Sequence, residues 1–274
     1  MQEAIDDDRS WRRMLARLAS LQSAARRSAT RSTIAEGTRL VERALRANHP
    51  IEAVLASESF GADDREQALL QQLLDKRVEL CRAPDAALRE AMAGRSFGAI
   101  QAVVTIPRSD LDWSKLGTLL VAVDIQDPGN AGALVRSAHA LGASALIALG
   151  STDPWHPKGV RTSKGSVFAL PCLSVAEAPL DWARQLAGHG FQSIGLATEH
   201  SVPWRDITFG SERVAMFMGS EAHGLSTEIC HELDQLFRID MSSGVDSLSV
   251  NAAAAIALFA VRERLASERG EQQL

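Results

Sequence analysis

The first segment of this sequence that could do chemistry is an apolar run followed by a turn and several polar residues. Residues 119–125 form the apolar run, and Asp127, a Pro-Gly turn, Asn130 and Arg136 follow it. A strand that leads into a helix in this way exposes backbone N–H groups at the carboxyl end of a sheet, where open α/β folds bind ligands. A dinucleotide-binding turn would need the G-x-G-x-x-G pattern, which is absent here, so a nucleotide-dependent oxidoreductase is a weak alternative. On these residues alone, an ordinary turn with a surface arginine is an equally good interpretation.

Two further segments place polar groups beside glycines or at the start of a helix. In residues 217–226, an apolar strand ends in a loop whose glycines bracket Glu221, and such glycines let a ligand approach the backbone closely. In residues 239–251, a polar loop leads to Ser247 and Ser249 ahead of an alanine-rich helix. Either serine could simply cap that helix, and in isolation this is the better interpretation.

Composition and charge restrict the class of protein that carries these segments. The chain has 274 residues, of which 46% are hydrophobic and 23% charged, and its net charge is −5. These values are typical of a soluble globular protein and exclude a fibrous, disordered or polybasic one. The charge is uneven, because residues 9–46 hold ten arginines against Glu36 and Glu42, a net charge of +8. We therefore expect a polyanion to contact the N-terminal region.

Cysteine usage and the distribution of apolar residues predict the compartment. Cys81, Cys172 and Cys230 lack the spacing of a disulfide framework or a zinc site, which favours a reducing environment. The N-terminus begins with acidic residues rather than the basic region of a secretory signal. The longest apolar stretch, residues 252–261, is about half as long as a membrane span. We expect a cytoplasmic protein with no membrane role.

Alternating helical and strand patterns divide the chain into two α/β regions. A basic amphipathic helix at residues 11–21 belongs to a predicted N-terminal extension, residues 1–29. Residues 30–106 are a predicted small α/β domain, and residues 107–116, rich in Pro, Ser and Asp, are a predicted linker. Residues 117–274 contain short continuous apolar runs, which favour strands buried on both faces of a parallel sheet.

The same patterns predict individual elements. In the small domain, we predict helices at 36–47, 65–74 and 85–92 and strands at 51–56, 78–81 and 99–106, and no element for the Ser/Thr/Arg stretch 28–33. In the larger domain, we predict strands at 119–125, 145–149, 193–197, 214–218 and 237–239 and a helix at 248–265.

Together and in this order, the three segments resemble the three motifs of the SpoU (TrmH-like) family of RNA ribose 2′-O-methyltransferases, in the SPOUT superfamily. The strings are D-P-x-N-x-G-x-x-x-R at 127–136, G-x-E-x-x-G-L at 219–225, and I-x-M followed by S-L-x-V at 239–250. Residues 160–171 are similar to the R-x-S-x-G-x-x-x-x-x-P segment of that family. The resemblance covers about residues 119–258. The small domain also resembles the ribosomal-protein-like module that binds substrate in many of these enzymes.

The third motif departs from the family pattern at two positions. Ser249 stands where the family usually has Asn, and Asn251 follows two residues later. Asp240 stands where the family usually has Pro. In the second motif, Ala222 replaces a frequent Gly. Ser249 can donate and accept a hydrogen bond, although its side chain is shorter than that of Asn.

The resemblance implies a fold, a cofactor and a set of site residues. The implied fold is α/β, with a mostly parallel sheet tied into a deep trefoil knot in the C-terminal domain. The cofactor is S-adenosylmethionine, bound against the second and third motifs. The implied cofactor contacts are Thr198, Gly219, Ile239 and Leu248. The implied catalytic residues are Asn130, Arg136, Glu221, Ser247 and Ser249.

The implied reaction is in-line attack of a ribose 2′ oxygen on the methyl group of a sulfonium, for which no metal is expected. We assign Arg136 to phosphate anchoring and to stabilisation of the developing alkoxide, because a guanidinium is always charged, and we leave the proton acceptor open. Asn130 and Ser247 would orient Arg136 or the ribose. Glu221 would orient Arg136 or serve as a structural acceptor. The predicted RNA-binding residues are Arg12, Arg13, Arg17, Arg39 and Arg161.

Our leading hypothesis is an S-adenosylmethionine-dependent RNA 2′-O-methyltransferase that acts on ribosomal RNA. The added N-terminal domain favours a structured rRNA over the alternative of tRNA. A second alternative is a non-catalytic RNA-binding protein that keeps the fold, motivated by Ser249. Homodimerisation through the first-motif helix and the C-terminal helix is usual in the family and is expected here.

Overall fold

The chain divides into two compact units. The computed structural model describes residues 8–91, 99–108, 111–175, 178–244 and 247–268. The first unit comprises residues 1–108 and 155–161, and the second comprises residues 109–154 and 162–274. Helix α1, Asp8–Ser20, thus lies in the same unit as the small α/β domain, and residues 155–161 join it from the later part of the chain. Met92, the last residue of a predicted helix, and residues 109–110 of the predicted linker lie outside the described residues.

The first unit contains a four-stranded sheet covered by helices. Its elements are helices α1 (Asp8–Ser20) and α2 (Ala24–Thr30), strand β1 (Ser32–Glu36), α3 (Thr38–Arg46), β2 (Ile51–Ser57), α4 (Asp64–Asp75), β3 (Glu79–Ala83), α5 (Asp85–Ala91) and β4 (Ile100–Thr105). The strand order is β1-β4-β2-β3. Strand β4 pairs antiparallel with β1 and β2, and β2 pairs parallel with β3. The predicted α/β character of this region is confirmed.

Strand β1 lies partly in the polar stretch for which we predicted no element, and that prediction is wrong. All five residues of β1 are buried. The Ser32 hydroxyl donates to a carboxylate oxygen of Glu52 at 2.7 Å, and the Thr33 hydroxyl donates to the Trp155 carbonyl at 2.6 Å. Because tertiary partners satisfy these hydroxyls, a polar sequence can form a buried strand.

Helix α1 covers the first sheet with its apolar face. Met14 and Leu18 within the helix and Leu21 just after it are at most 6% exposed, and they belong to a core cluster with residues of β1, β2, β3 and β4. Arg12 and Arg13 are exposed on the other side of the helix. The amphipathic pattern therefore predicted both the burial of this helix and its basic outer face.

The second unit contains a seven-stranded sheet. The remaining elements of the chain are β5 (Leu119–Val123), α6 (Pro128–Ala140), β6 (Ala145–Leu149), α7 (Pro157–Thr162), β7 (Cys172–Val175), α8 (Pro179–Gly188), β8 (Gln192–Leu196), β9 (Val202–Pro203), β10 (Val214–Met218), α9 (Thr227–Glu232), β11 (Gln235–Arg238) and α10 (Val250–Glu268). The strand order is β7-β6-β5-β10-β8-β11-β9, and the pairs are parallel. The predicted parallel sheet is confirmed.

Burial explains which strands the sequence predicted. Every residue of β5, β6 and β10 is buried, so these strands are continuous apolar runs. The edge strand β7 has only one fully buried residue and β9 has only two residues, and neither was predicted. In the described ranges, we find no helix that is both long and apolar enough to span a membrane.

Candidate cofactor and catalytic site

A cavity of about 650 Å³ lies at the carboxyl ends of β8, β10 and β11. Leu196, Met218 and Leu236, near the ends of these strands, supply apolar lining. The four positions predicted to contact the cofactor all line this cavity: Thr198, Gly219, Ile239 and Leu248. The carboxyl ends of parallel strands are the usual ligand-binding edge of an α/β sheet.

Gly219 sits where the loop of the second motif folds back on the end of β10. A Cβ atom at this position would lie 1.9 Å from the carbonyl carbon of Gly224. Ser220 and Gly224 form an isolated antiparallel bridge, and the Gly224 N–H donates to the Ser220 carbonyl at 2.9 Å. Gly224 itself has a φ of 66°, a conformation that glycine adopts without strain. The glycines of this motif are therefore required by a tight loop that forms one wall of the cavity.

Glu221 connects the second motif to the third. Its carboxylate accepts a hydrogen bond from the backbone N–H of Val250, the first residue of α10, at 3.2 Å. A carboxylate at this position is favoured by the helix macrodipole. Glu221 lines the cavity and is exposed. Two roles were predicted for Glu221, and this hydrogen bond corresponds to the role of a structural acceptor.

The two serines of the third motif have different environments. The Ser249 hydroxyl accepts a hydrogen bond from the Ala252 N–H at 3.3 Å, so Ser249 caps α10. The interpretation that one of these serines is a helix cap is confirmed for Ser249, which does not line the cavity. Ser247 does line the cavity and is exposed.

Asn130 lies in the first turn of α6 and is linked to α10. Asp127 caps α6 by accepting a hydrogen bond from the Asn130 N–H at 3.0 Å. The Asn130 side-chain oxygen accepts a hydrogen bond from Nδ2 of Asn251 at 3.0 Å. Sequence reasoning did not assign Asn251 to the site, although its place two residues after Ser249 was the available signal.

Arg136 is separate from the cavity in a single chain. It is exposed on α6 and does not line the cavity. Its guanidinium makes no hydrogen bond or ion pair with the residues that the structure describes. One chain therefore brings Glu221 and Ser247 to the cavity and joins Asn130 to α10, but it does not bring Arg136 to them.

The predicted RNA-binding arginines fall into two groups. Arg12, Arg13 and Arg39 are exposed, and the Arg12 guanidinium lies 4.8 Å from the ring centre of Trp11. Arg17 forms an ion pair with Glu52 and is partly buried.

Arg161 has a different environment from the exposed arginines. It forms an ion pair with Glu36 at 2.8 Å inside the first unit, and the two side chains are 21% and 4% exposed. The pair neutralises a buried carboxylate, which gives Arg161 a structural role. Its role in RNA binding stays a prediction.

Cys230 is a cavity residue that sequence reasoning did not include. Burial raises the pKa of the Cys230 thiol. The thiol is therefore neutral at physiological pH and a weak nucleophile, because the thiolate is the reactive form. This matters in a cavity proposed to hold an electrophilic methyl group.

A parallel α/β sheet with a glycine-walled cavity at the carboxyl ends of its strands is the architecture of an enzyme that binds a nucleotide-like cofactor. Residues 117–259 match the SpoU rRNA Methylase family, and residues 14–92 match the MRM3-like substrate binding domain. The chain belongs to the SpoU rRNA methylase family.

Similar proteins include two curated enzymes. The 23S rRNA (uridine(2479)-2′-O)-methyltransferase of Streptomyces viridochromogenes is 30% identical, over 84% of this chain and 82% of its own length. The 23S rRNA (guanosine(2553)-2′-O)-methyltransferase of Bacillus subtilis is 26% identical, over 86% of this chain and 90% of its own length.

Two crystal structures with bound S-adenosylmethionine (AdoMet) have the same fold. The AdoMet-bound rRNA methyltransferase from Sinorhizobium meliloti has a TM-score of 0.80 at 26% identity, covering 92% of this chain and 95% of that one. The SpoU methyltransferase AviRb from Streptomyces viridochromogenes in complex with AdoMet has a TM-score of 0.80 at 26% identity, covering 94% of this chain and 99% of that one.

Proposed function

We propose that this protein transfers a methyl group from S-adenosylmethionine to a ribose 2′ oxygen of ribosomal RNA. The observation that carries the proposal is the cavity at the ends of β8, β10 and β11, which is lined by all four positions that the motifs assign to the cofactor. The curated relatives named above are 23S rRNA 2′-O-methyltransferases, and the match extends over most of their length. This favours rRNA over tRNA as the substrate.

The residues of the cavity fit S-adenosylmethionine. Apolar side chains such as Leu196, Met218 and Leu248 suit an adenine ring, and Thr198 offers a hydroxyl. Gly219 allows the close approach of a ligand to the backbone. The bound cofactor supplies a methyl group on a positively charged sulfur. The neutral Cys230 thiol does not compete with the ribose oxygen for that group.

The catalytic residues act by orientation and charge. Glu221 holds the N-terminus of α10 against the second motif, which fixes the position of the cavity residues around Val250. Ser247, in the cavity, hydrogen-bonds the ribose, and Asn130 presents its amide beside α10. Arg136 anchors a phosphate and stabilises negative charge that develops on the ribose oxygen.

The site is completed by a second subunit. Ile256 and Phe259 on α10 are 42% and 49% exposed, and they lie three residues apart on one face of the helix. Exposed large apolar side chains of this kind favour a partner surface. Arg136 is exposed on α6, which packs against α10. A homodimer formed through these two helices brings Arg136 of one chain to the cavity of the other.

The remaining parts of the proposal concern the N-terminal region, the sheet and the compartment. Residues 30–106 bind the RNA together with the basic face of residues 1–29, residues 107–116 are the linker, and residues 117–274 form the methyltransferase domain. The exposed Arg12, Arg13 and Arg39 support the RNA-binding role.

The insertion of β10 between β5 and β8 is compatible with the knot. The free cysteines support a cytoplasmic location.

Methylation in vitro tests the function. Purified protein and radiolabelled S-adenosylmethionine are incubated with unmodified 23S rRNA, 16S rRNA or tRNA. We expect label in one rRNA, within a dinucleotide that resists alkaline hydrolysis, because a 2′-O-methyl group blocks cleavage of the adjacent phosphodiester. Label in tRNA alone would overturn the choice of rRNA. Failure to bind S-adenosylmethionine in calorimetry would instead favour a non-catalytic RNA-binding protein.

RNA binding tests the role of α1. Replacing Arg12 and Arg13 together by Gln should weaken rRNA binding and lower the salt-dependence slope by about 1.4 to 1.8, for two lost phosphate contacts. Arg65→Gln is the matched control, because Arg65 is exposed in the same unit but lies on α4 rather than on α1, where two hydrogen bonds hold it to Glu42. Equal effects of the two changes would refute a specific RNA-binding face on α1.

A further inference from the structure

Asn251 joins the N-terminal turns of α6 and α10 beside the cavity. It is the second residue of α10, and its Nδ2 donates to Oδ1 of Asn130, the third residue of α6, at 3.0 Å. On α10, Val250 and Ala253, which flank Asn251, both line the cavity. The amide pair therefore lies next to cavity-lining positions of α10, although neither Asn lines the cavity itself.

The hydrogen bond fixes the direction in which the Asn130 amide faces. An Asn side chain carries an acceptor oxygen on one side of its amide plane and a donor NH₂ on the other. Because the oxygen of Asn130 accepts from Asn251, the Nδ2 of Asn130 points away from Asn251, and no residue that the structure describes accepts a hydrogen bond from it. Without Asn251, the Asn130 amide could turn over and present its oxygen instead.

Asn251 is not needed to complete the end of α10. Ser249 provides the cap, and Glu221 accepts from the Val250 N–H. The side-chain oxygen of Asn251 is buried and receives no hydrogen bond from the described part of the chain. A buried acceptor without a partner costs free energy, so this side chain is not placed there for the stability of the helix.

We propose that Asn251 is a positioning residue for methyl transfer, which holds the Asn130 amide so that Nδ2 is the group presented to the RNA. The inference rests on the proposed function, in which Asn130 acts on the ribose or its phosphate. The new residue, Asn251, is 121 positions away from Asn130 in the chain. It affects the reaction only by orienting the Asn130 amide.

Asn251→Asp separates this role from a structural one. The two side chains have the same shape, but a carboxylate has no hydrogen to donate. Asn130 must then turn its NH₂ towards Asp and present its oxygen to the RNA. The helix macrodipole favours a negative charge here, whereas burial and the nearby Glu221 carboxylate oppose it, so the melting temperature of Asn251→Asp is measured and kcat is compared well below it. We expect kcat to fall at least about tenfold, while the Kd for S-adenosylmethionine stays within about twofold of wild type.

A double-mutant cycle on kcat tests whether Asn251 acts through Asn130. The variants are Asn251→Ala, Asn130→Ala and the double variant, and we expect the double variant to be no slower than Asn130→Ala alone. Leu186→Ala is the control for lost stability, because Leu186 is 0% exposed on α8, which neither lines the cavity nor belongs to the proposed dimer surface. It should lower the melting temperature without lowering kcat in assays run well below that temperature.

Each result has a defined consequence. Wild-type kcat in Asn251→Asp, or independent multiplicative effects of the two alanine substitutions, would overturn the positioning role. A fall in kcat that Leu186→Ala reproduces at a matching loss of melting temperature would also overturn it. Wild-type protein that binds S-adenosylmethionine but methylates no rRNA would refute the proposed function itself. Methylation by the wild-type protein is therefore measured before any variant is tested.

Discussion

Gly219→Ala tests the wall of the cofactor cavity. A Cβ at residue 219 would lie 1.9 Å from the carbonyl carbon of Gly224, 2.0 Å from its oxygen and 2.3 Å from the nitrogen of Leu225. Real Cβ contacts are essentially never shorter than 3.0 Å, so the Gly224 backbone must move by about 1 Å. That movement disrupts the bridge to Ser220 and its 2.9 Å hydrogen bond.

The size of the expected effect follows from these contacts. Overpacking costs about 1 to 3 kcal/mol, of which the lost hydrogen bond accounts for about 1 kcal/mol. For a protein of this length, a loss of about 2 kcal/mol lowers Tm by about 4 to 8 °C. Gly219, Ser220 and Gly224 all line the cavity. We therefore expect the Kd for S-adenosylmethionine to rise about tenfold to a hundredfold, which is about 1.4 to 2.8 kcal/mol of binding free energy.

Calorimetric titration and thermal unfolding measure the two quantities. Gly188→Ala is the matched control, because a Cβ there meets nothing within 4 Å and the residue lies at the end of α8. Its stability should stay the same or rise slightly. If Gly219→Ala bound the cofactor with wild-type Kd and unfolded at the wild-type temperature, the loop would not be constrained by Gly219 and the reasoning would be wrong.

Three further predictions concern catalysis, a buried ion pair and pH. Arg136→Ala should lower kcat by two or more orders of magnitude, about 3 to 4 kcal/mol, in steady-state methylation assays, and Arg136→Lys should rescue it poorly. Arg161→Ala removes the partner of the Glu36 carboxylate, which is 4% exposed, and should lower the urea-unfolding free energy by about 3 to 5 kcal/mol. Burial lowers the pKa of His49, against a smaller opposing effect of its hydrogen bond to the Thr105 carbonyl. The unfolded chain then binds more protons at mildly acidic pH, so unfolding free energy should fall as pH drops below about 6.5, and less so in His49→Phe.

These predictions fail on distinct observations. Near wild-type turnover in Arg136→Ala would mean that Arg136 has no catalytic role and is an ordinary surface residue of α6. Unchanged unfolding free energy in Arg161→Ala would mean that water or other polar groups stabilise the Glu36 carboxylate in the variant. Identical pH dependence of unfolding in wild type and His49→Phe would mean that His49 titrates normally in the folded protein.

The sequence by itself determined the buried strands of the methyltransferase domain. Strands β6 and β10 begin and end where the apolar runs at 145–149 and 214–218 begin and end, because a strand covered on both faces must be apolar at every position. The sequence also predicted the importance of the motif glycines. The structure gives the physical reason at Gly219, where a Cβ would meet the backbone of Gly224 and no side chain fits. Of the polar residues that the motifs assigned, Thr198, Glu221 and Ser247 line the cavity, and Asn130, Arg136 and Ser249 do not.

Only the tertiary structure decided the partners of polar side chains. The sequence left Ser249 open between a cap and a catalytic role, assigned Arg161 to RNA, and gave Asn251 no role. The structure supplies a partner in each case: the cap on α10, the ion pair to Glu36 and the hydrogen bond to Asn130. Two of the three contacts join residues more than 120 positions apart, and a polar side chain takes its role from whichever partner packing brings within hydrogen-bond reach.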